Sequence, residues 1–207
     1  MNPLKPNLLF DLGGVIVDIE RERCVAAFAA LGLADADSYF GDYAQSGIFM
    51  AIEDGSLDID GFHAALHALL PPGVSDADID TAFQKFIVGI PRRRLEALRA
   101  LRTAGHHIYL LSNTNPIMWN GILADEFTKE GFRRADYFDG MITSFEAGCA
   151  KPDPAIFRHA CRSLGIEPSD TIFFDDSETN TAAAAALGFR TVHVRPGTEF
   201  TDYTTEK

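Results

Sequence analysis

A carboxylate placed directly after a short apolar run is the first feature of this sequence that could do chemistry. Asp11 follows the apolar residues 8–10 and comes just before the glycine pair Gly13 and Gly14. A carboxylate at the end of a buried strand loses hydration without a guaranteed partner, which costs free energy. The glycines allow positive φ and let a ligand approach the main chain. The segment is typical of a functional site. The alternative interpretation is a strand that ends in an ordinary turn.

Polar residues also occur after two later apolar runs and in one loop. They are Ser112 and Asn113 after the run 108–111, Lys151 before a proline, and Asp175 and Asp176 after the run 171–174. Two or three carboxylates form the oxygen-rich setting that Mg²⁺ prefers, especially when phosphate completes the coordination. A lysine and a hydroxyl can neutralise and hydrogen-bond phosphate oxygens. A carboxylate can attack phosphorus to give an aspartyl-phosphate that water hydrolyses, so these residue types predict phosphoryl transfer.

The order of predicted strands and helices explains how these distant residues could lie close together. Short apolar runs alternate with helical patterns, which predicts strands at 8–10, 108–111, 140–143, 171–174 and 191–194 and helices at 20–33, 94–103, 154–164 and 179–187. Such alternation indicates an α/β fold with a Rossmann-like parallel sheet and helices on both faces. Ligands of these sheets bind at the carboxyl ends of the strands, so the polar residues are expected on one rim.

Residues 18–90 interrupt this alternation of strands and helices. Aromatic residues and leucines recur there at helical spacing, and no strand pattern is visible between residues 20 and 100. The segment is too long for a simple crossover connection. We therefore expect a helical cap at residues 18–90, inserted after the first strand, and an α/β core made of residues 1–17 and 91–207.

Composition and charge exclude several classes of function. The chain has 207 residues, enough for one domain with an insertion, and its formal net charge of −12 argues against nucleic acid as a partner. No apolar run approaches the roughly 18 residues needed to span a membrane, and the N-terminus lacks the pattern of a signal peptide. We expect a cytoplasmic protein, and the sequence leaves its oligomeric state unknown. The basic cluster at residues 92–94 is expected to be a solvated helix start.

Four motifs, taken in order, resemble those of the haloacid dehalogenase superfamily of phosphohydrolases with a C1-type helical cap. They are Phe-Asp11-Leu-Gly-Gly-Val, Leu-Leu-Ser112-Asn-Thr, Lys151-Pro-Asp-Pro-Ala-Ile-Phe and Phe-Phe-Asp175-Asp176-Ser. Each motif alone is weak, but four of them at predicted strand ends or loops form a specific pattern. The chain also resembles a subgroup of bacterial phosphatases that act on α-D-glucose 1-phosphate.

The resemblance implies a role for each residue that would touch the substrate, a small phosphorylated metabolite. Asp11 would be the catalytic nucleophile. Ser112, Asn113 and Lys151 would bind the phosphoryl group, with Ser112 and Lys151 also taking part in catalysis.

The resemblance also implies a metal site for Mg²⁺. The ligands would be Asp11, the main-chain carbonyl of Gly13, and Asp176. Asp175 would belong to the same site, where it would support Lys151 or a bound water.

Gly13 is a departure from the family pattern, which has an acid and base aspartate two residues after the nucleophile. Glycine cannot relay a proton, which would lower the rate by about 10²–10⁴-fold. Hydrolysis of a sugar 1-phosphate would lose the least rate, because its leaving group is good. A phosphatase of sugar 1-phosphates is therefore the favoured interpretation. One alternative is a metal-free 2-haloacid dehalogenase, although the fourth motif of those enzymes is rich in Ser and Asn. The other is a catalytically silent protein that binds a phosphorylated metabolite or a partner.

The cap contains two weaker signals. The loop at residues 53–57 lies where such caps often approach the substrate, so it either recognises the leaving group or is a plain turn. His63 and His67 are one helical turn apart, and we expect them on a partly exposed helix face rather than at a metal.

Overall fold

The computed structural model describes residues 5–41 and 45–204. The strands in these residues are β1 (Asn7–Phe10), β2 (Asp18–Ile19), β3 (Ile87–Gly89), β4 (Ile108–Ser112), β5 (Gly140–Thr143), β6 (Thr171–Asp175) and β7 (Arg190–His193). Five of them form a parallel sheet in the order β5-β4-β1-β6-β7. The predicted parallel α/β fold is confirmed, and β1 lies at the centre of its sheet.

Helices surround this sheet and fill the segment between β2 and β3. They are α1 (Arg21–Ala30), α2 (Gly47–Glu53), α3 (Ile59–His67), α4 (Asp76–Gln84), α5 (Arg92–Thr103), α6 (Pro116–Asn120), α7 (Ile122–Thr128), α8 (Arg134–Tyr137), α9 (Ser144–Ala147), α10 (Pro154–Leu164) and α11 (Glu178–Ala186). In the described part of the chain, no helix combines the length and the apolarity needed to cross a membrane.

Alternate side chains of β1 pack on opposite faces of the sheet. Leu8 and Phe10 belong to an apolar cluster that includes Leu98 of α5. Leu9, between them, belongs to a second cluster that includes Phe157 of α10. This alternation buries β1 on both sides, which is why its sequence is a continuous apolar run.

The segment 18–90, which we propose is the cap, starts and ends with an antiparallel pair of strands that the sequence analysis did not predict. β2 pairs with β3, with Asp18 opposite Gly89 and Ile19 opposite Ile87. The expectation of no strand between residues 20 and 100 is therefore wrong for β3. Strands of two and three residues are too short to show the alternation of apolar and polar residues on which strand prediction depends.

An aromatic cluster holds the cap helices together. Phe49 of α2 lies at its centre, with ring centroids 4.5 Å from Phe40, 5.0 Å from Phe28 and 5.3 Å from Phe62. All of these rings are buried. Edge and offset contacts of this kind add to the burial of the rings. These rings belong to the same apolar cluster as Leu8 and Phe10 of β1.

The expectation for the basic cluster at residues 92–94 is wrong for Arg94, which is 6% exposed. Its Nε donates to Oε2 of Glu199 at 2.6 Å, and its Nη1 donates to Oδ1 of Asp18 at 2.8 Å and to the main-chain oxygen of Ile16 at 3.2 Å. A planar guanidinium can satisfy several acceptors at once, which permits its burial. The partners are distant in the sequence, so the local pattern does not show them.

The expectation of a partly exposed histidine face holds for His67 and is wrong for His63. His63 is buried, and its Nε2 lies 2.8 Å from Oδ1 of Asp80. His67 Nε2 lies 2.6 Å from Oδ1 of Asp76. Both histidines thus pair with carboxylates of α4, across the contact between two cap helices, and the spacing within α3 gives no sign of this.

Candidate active site

The carboxyl ends of three parallel strands bring the predicted site residues together. Asp11 directly follows β1, Ser112 ends β4, and Asp175 ends β6. One pocket between the sheet and the cap is lined by the predicted residues Asp11, Gly13, Ser112, Asn113, Lys151 and Asp176. Asp175 is not part of this lining and is fully buried. The pocket has a cavity volume of about 90 Å³.

Lys151 links two of the carboxylates. Its Nζ lies 2.6 Å from Oδ1 of Asp11 and 2.7 Å from Oδ2 of Asp175, and the side chain is almost fully buried. Burial alone would lower the pKa of Lys151, but the two carboxylates outweigh this effect and raise the pKa. Lys151 is therefore a fixed positive charge in the pocket.

Asn113 positions Lys151 through the backbone. The Oδ1 of Asn113 accepts a hydrogen bond from the N–H of Lys151 at 2.8 Å, and its Nδ2 donates to the main-chain oxygen of Lys151 at 2.9 Å. The sequence analysis assigned Asn113 to substrate binding, whereas both ends of its side-chain amide are bound to the protein. The next residue, Thr114, exchanges hydrogen bonds of 3.0 Å with the hydroxyl of Ser144. The turn after β4 is thus fixed on both sides.

Asp175 accepts hydrogen bonds on both carboxylate oxygens. Oδ1 accepts from the N–H of Ser177 at 2.8 Å and from Nδ2 of Asn180 at 3.1 Å, and Oδ2 accepts from Nζ of Lys151. A carboxylate with its acceptor sites occupied in this way fits the support of Lys151 better than direct coordination of a metal. The geometry therefore favours support of Lys151 as the role of Asp175.

The site has more negative than positive charge. One oxygen from each of Asp11, Asp175 and Asp176 lies within 4.8 Å of the others, with Lys151 beside them. Burial raises the pKa of Asp11 to about 8, although Lys151 opposes this shift. Burial, followed by repulsion from Asp175, raises the pKa of Asp176 to about 6. A divalent cation with a preference for oxygen ligands fits this deficit of positive charge.

The two glycines after β1 differ in what they permit. Gly14 has a φ of +69°, and a Cβ atom there would lie 2.1 Å from Oδ2 of Asp176. Gly13 lies outside the positive-φ region, and its Cβ would lie 3.4 Å from Cδ1 of Ile19, an ordinary contact. Gly14 is thus required for the close approach of Asp176, whereas neither space nor backbone conformation forbids a side chain at Gly13.

The cap contributes two polar residues to the pocket, of which the sequence analysis singled out only Glu53, as part of the loop 53–57. Gln45 and Glu53 line the pocket beside the apolar residues Phe86 and Ile87. The Oε1 of Gln45 is buried and has no hydrogen-bond partner among the residues that the structure describes. Glu53 lies in the segment 53–57 that the sequence singles out, and its position favours contact with a ligand over a plain turn. Gln45 carries no signal that one sequence could show.

Known proteins resemble this chain over nearly its whole length. A family model described as haloacid dehalogenase-like hydrolase matches residues 7–188. The chain is 38% identical over 194 residues, 94% of each protein, to a D-ribitol-5-phosphate phosphatase of Bacteroides thetaiotaomicron.

Solved structures show the same similarity. A haloacid dehalogenase (HAD) family enzyme from Bacteroides thetaiotaomicron, in complex with magnesium and inorganic phosphate, matches with a TM-score of 0.90 at 36% identity, covering 97% of this chain and 100% of the other. A structure from Porphyromonas gingivalis, described as a predicted HAD-like family hydrolase, matches with a TM-score of 0.88 at 28% identity, covering 99% and 100%.

Proposed function

We propose that this chain, which belongs to the haloacid dehalogenase-like hydrolase family, is a magnesium-dependent phosphatase of small phosphorylated metabolites. The observation that carries the proposal is the convergence of Asp11, Asp175 and Asp176 within 4.8 Å, with Lys151 bound to two of them. A similar protein is a D-ribitol-5-phosphate phosphatase, and a similar structure contains magnesium and inorganic phosphate.

In the proposed reaction, Asp11 attacks the phosphorus atom and the bond to the leaving-group oxygen breaks, which gives an aspartyl-phosphate. Water then attacks this phosphorus, so that inorganic phosphate leaves and Asp11 is restored. Lys151, 2.6 Å from Asp11, neutralises charge on the phosphoryl oxygens, and the buried hydroxyl of Ser112 offers them a hydrogen bond. Mg²⁺, held by Asp11, the Gly13 carbonyl and Asp176, would supply further charge neutralisation.

The pocket favours a neutral, hydroxylated leaving group. Lys151 is the one cationic side chain in the described lining, so a second anionic group on the substrate would have no partner there. The unpartnered Oε1 of Gln45 can accept a hydrogen bond from a hydroxyl, and Phe86 and Ile87 can cover the carbon atoms. Both a sugar 1-phosphate, which the sequence favours, and a polyol phosphate of the D-ribitol 5-phosphate type meet these conditions.

A haloacid fits the pocket less well. Its carboxylate would need a cation in addition to the one beside Asp11, and the described lining offers Lys151 alone. Three clustered carboxylates would also repel the acid unless a metal ion were bound. We therefore retain haloacid hydrolysis only as an outcome that the experiment can detect.

A substrate screen tests the proposed function. Sugar phosphates, polyol phosphates and nucleotides are assayed for released phosphate, and a 2-chloroacid for released halide, with Mg²⁺ or with EDTA. We expect phosphate release from sugar or polyol phosphates that depends on Mg²⁺ and falls by several orders of magnitude in Asp11→Asn. Near wild-type turnover by Asp11→Asn would contradict the assignment of Asp11 as the nucleophile. Halide release in EDTA would identify a dehalogenase, and no product from any substrate would favour a binding protein.

A further inference from the structure

Glu53 is a buried acid that the reaction above does not use. It ends α2 and lines the same pocket as Asp11, Ser112 and Lys151, and it is 8% exposed. Its carboxyl group makes no hydrogen bond or ion pair with any residue in the ranges 5–41 and 45–204. A buried carboxyl group without a protein partner, facing a ligand pocket, is suited to contact the ligand itself.

The surroundings of Glu53 favour its protonated form. Burial, with a smaller contribution from the adjacent Asp54, raises the pKa of Glu53 to about 8. The other titratable group that interacts with it is the Cys24 thiol of α1, which is itself uncharged because burial raises its pKa. Lys151, the cation of the pocket, is already bound to two other carboxylates. Glu53 therefore carries a proton at neutral pH and can give it to a ligand.

A contact between the cap and the core fixes the chain just after Glu53. Gly55 has a φ of +76° and packs so closely on α9 that a Cβ atom there would lie 2.3 Å from the main-chain oxygen of Phe145. The end of α2 is therefore held against the core, and Glu53 is held at the pocket. Catalytic groups need such fixed positions, since small displacements lower the rate sharply.

We propose that Glu53 gives a proton to the leaving-group oxygen in the first step and takes a proton from water in the second, in place of the carboxylate that Gly13 lacks. This inference rests on the proposed phosphatase function. It removes the need for a good leaving group, because an ordinary alkoxide, such as that of a polyol phosphate, would leave as a neutral alcohol.

The proton and electron balance of the two steps is complete with the groups named. In the first step Asp11 reacts in its ionised form, which Lys151 at 2.6 Å and a bound Mg²⁺ would favour although burial raises its pKa. One of its carboxylate oxygens forms a bond to phosphorus, the bonding pair of the broken P–O bond moves to the leaving oxygen, and that oxygen takes the proton of Glu53. In the second step water forms a bond to phosphorus, the bond to Asp11 breaks, and the water proton moves to the Glu53 carboxylate. Glu53 ends protonated, as it began.

Glu53→Gln tests this role because it keeps the shape of the side chain and removes the transferable proton. With D-ribitol 5-phosphate, whose leaving group is an ordinary alkoxide, we expect turnover to fall by about 10²–10⁴-fold. With p-nitrophenyl phosphate, whose leaving group departs without a proton, rapid mixing should show a burst of one p-nitrophenol per enzyme, formed at close to the wild-type rate. Slow turnover then follows, because hydrolysis of the phosphorylated enzyme has lost its base.

Asp60→Asn is the matched control, since Asp60 is an exposed cap carboxylate outside the pocket lining. It should behave like the wild type with every substrate. Equal losses of Glu53→Gln with alkyl and aryl phosphates and no burst, a change in KM alone, or behaviour like Asp60→Asn would each overturn the proton-transfer role while leaving the phosphatase function intact. If the wild type releases phosphate from no substrate, the proposed function fails and this inference fails with it.

Discussion

Two charged residues of the site, Lys151 and Asp175, are held in place by neutral neighbours. The amide of Asn113 binds the backbone of Lys151 at both ends, and the amide of Asn180 donates to Asp175. In the proposed reaction these amides do not carry charge or protons. They matter because a charge displaced by a fraction of an ångström loses much of its effect on the phosphoryl group, and second-layer hydrogen bonds prevent this.

The position of Asp176 depends on the absence of a side chain at Gly14, and Gly14→Ala tests this dependence. A Cβ atom would overlap Oδ2 of Asp176 at 2.1 Å, and the left-handed φ of +69° adds strain of about 1–2 kcal/mol. We expect Asp176 to move, the affinity for Mg²⁺ to fall by at least about tenfold, and phosphate release to fall with it. Isothermal titration calorimetry measures the affinity for Mg²⁺.

Gly13→Ala is the comparison for this prediction. Its Cβ atom meets Ile19 at 3.4 Å without positive φ, so its loss of Mg²⁺ affinity should be much the smaller of the two. If both variants bind Mg²⁺ equally well, the close approach of Gly14 to Asp176 has no part in metal binding.

At the scale of helices and strands, the position of α2 against α9 decides what the cap presents to the pocket. The cap helices are joined by aromatic contacts around Phe49, so a small shift of one loop does not require the cap to unfold. Gly55 is the point at which the loop after α2 touches the core. The placement of Glu53 and the stability of the cap can therefore be changed separately.

Gly55→Ala should displace the loop after α2 from the core. The added Cβ would lie 2.3 Å from the main-chain oxygen of Phe145, and backbone oxygens do not yield easily. We expect the first turnover of alkyl phosphates to slow more than the burst of p-nitrophenol from p-nitrophenyl phosphate, because only the alkyl leaving group needs the proton of Glu53. We also expect Tm to fall by a few degrees.

Gly73→Ala separates displacement from backbone strain. Gly73 also has positive φ, +99°, but no atom lies within 4 Å of its added Cβ. It should also lower Tm, and it should leave the ratio of the first-turnover rates with alkyl and aryl phosphates unchanged. A common effect of the two variants on this ratio would show that the contact with Phe145 does not position Glu53.

At the scale of the whole molecule, buried acids make stability depend on pH. The pKa of Asp11 is raised from its ordinary 3.8 to about 8, that of Glu53 from 4.5 to about 8, and that of Asp176 from 3.8 to about 6. Between the ordinary and the raised values, the folded protein binds more protons than the unfolded chain. The free energy of unfolding therefore falls as the pH rises through this window.

Thermal unfolding between pH 5.5 and 8.5 checks this dependence. In EDTA we expect Tm to fall as the pH rises towards 8. Mg²⁺ should raise Tm more at pH 8 than at pH 5.5, because metal binding needs the ionised carboxylates. Asp11→Asn, which lacks one of the titrating groups, should show a shallower fall in EDTA. A Tm in EDTA that rises steadily with pH would contradict the raised pKa values.

The sequence predicted the parts of the molecule that depend on local pattern. The central strands β1, β4 and β6 contain continuous apolar runs, because both faces of the sheet are covered, and Asp11, Ser112 and Asp175 lie at the ends of these runs. Asp11 and Ser112 therefore lie where the sequence analysis placed them, at strand ends that share one rim.

The features that the sequence did not show depend on contacts between distant segments. Arg94 is buried because Asp18 and Glu199 accept its hydrogen bonds, and His63 because it pairs with Asp80 of another helix. The position of Gln45 in the pocket lining is set by how the cap lies on the core. None of these partners is encoded in the spacing of neighbouring residues, so a periodicity argument cannot find them.

The central position of β1 has a consequence for how the chain matures during synthesis. Asp11 follows β1, and β1 pairs with β4 through Leu8 and Ile108 and with β6 through Phe10 and Phe174. A nascent chain in which β6 has not yet been made lacks a complete site, because these partner strands are synthesised about 100 and 160 residues after β1. Binding of phosphate by a nascent chain would thus report that β4 and β6 have been synthesised and have paired with β1.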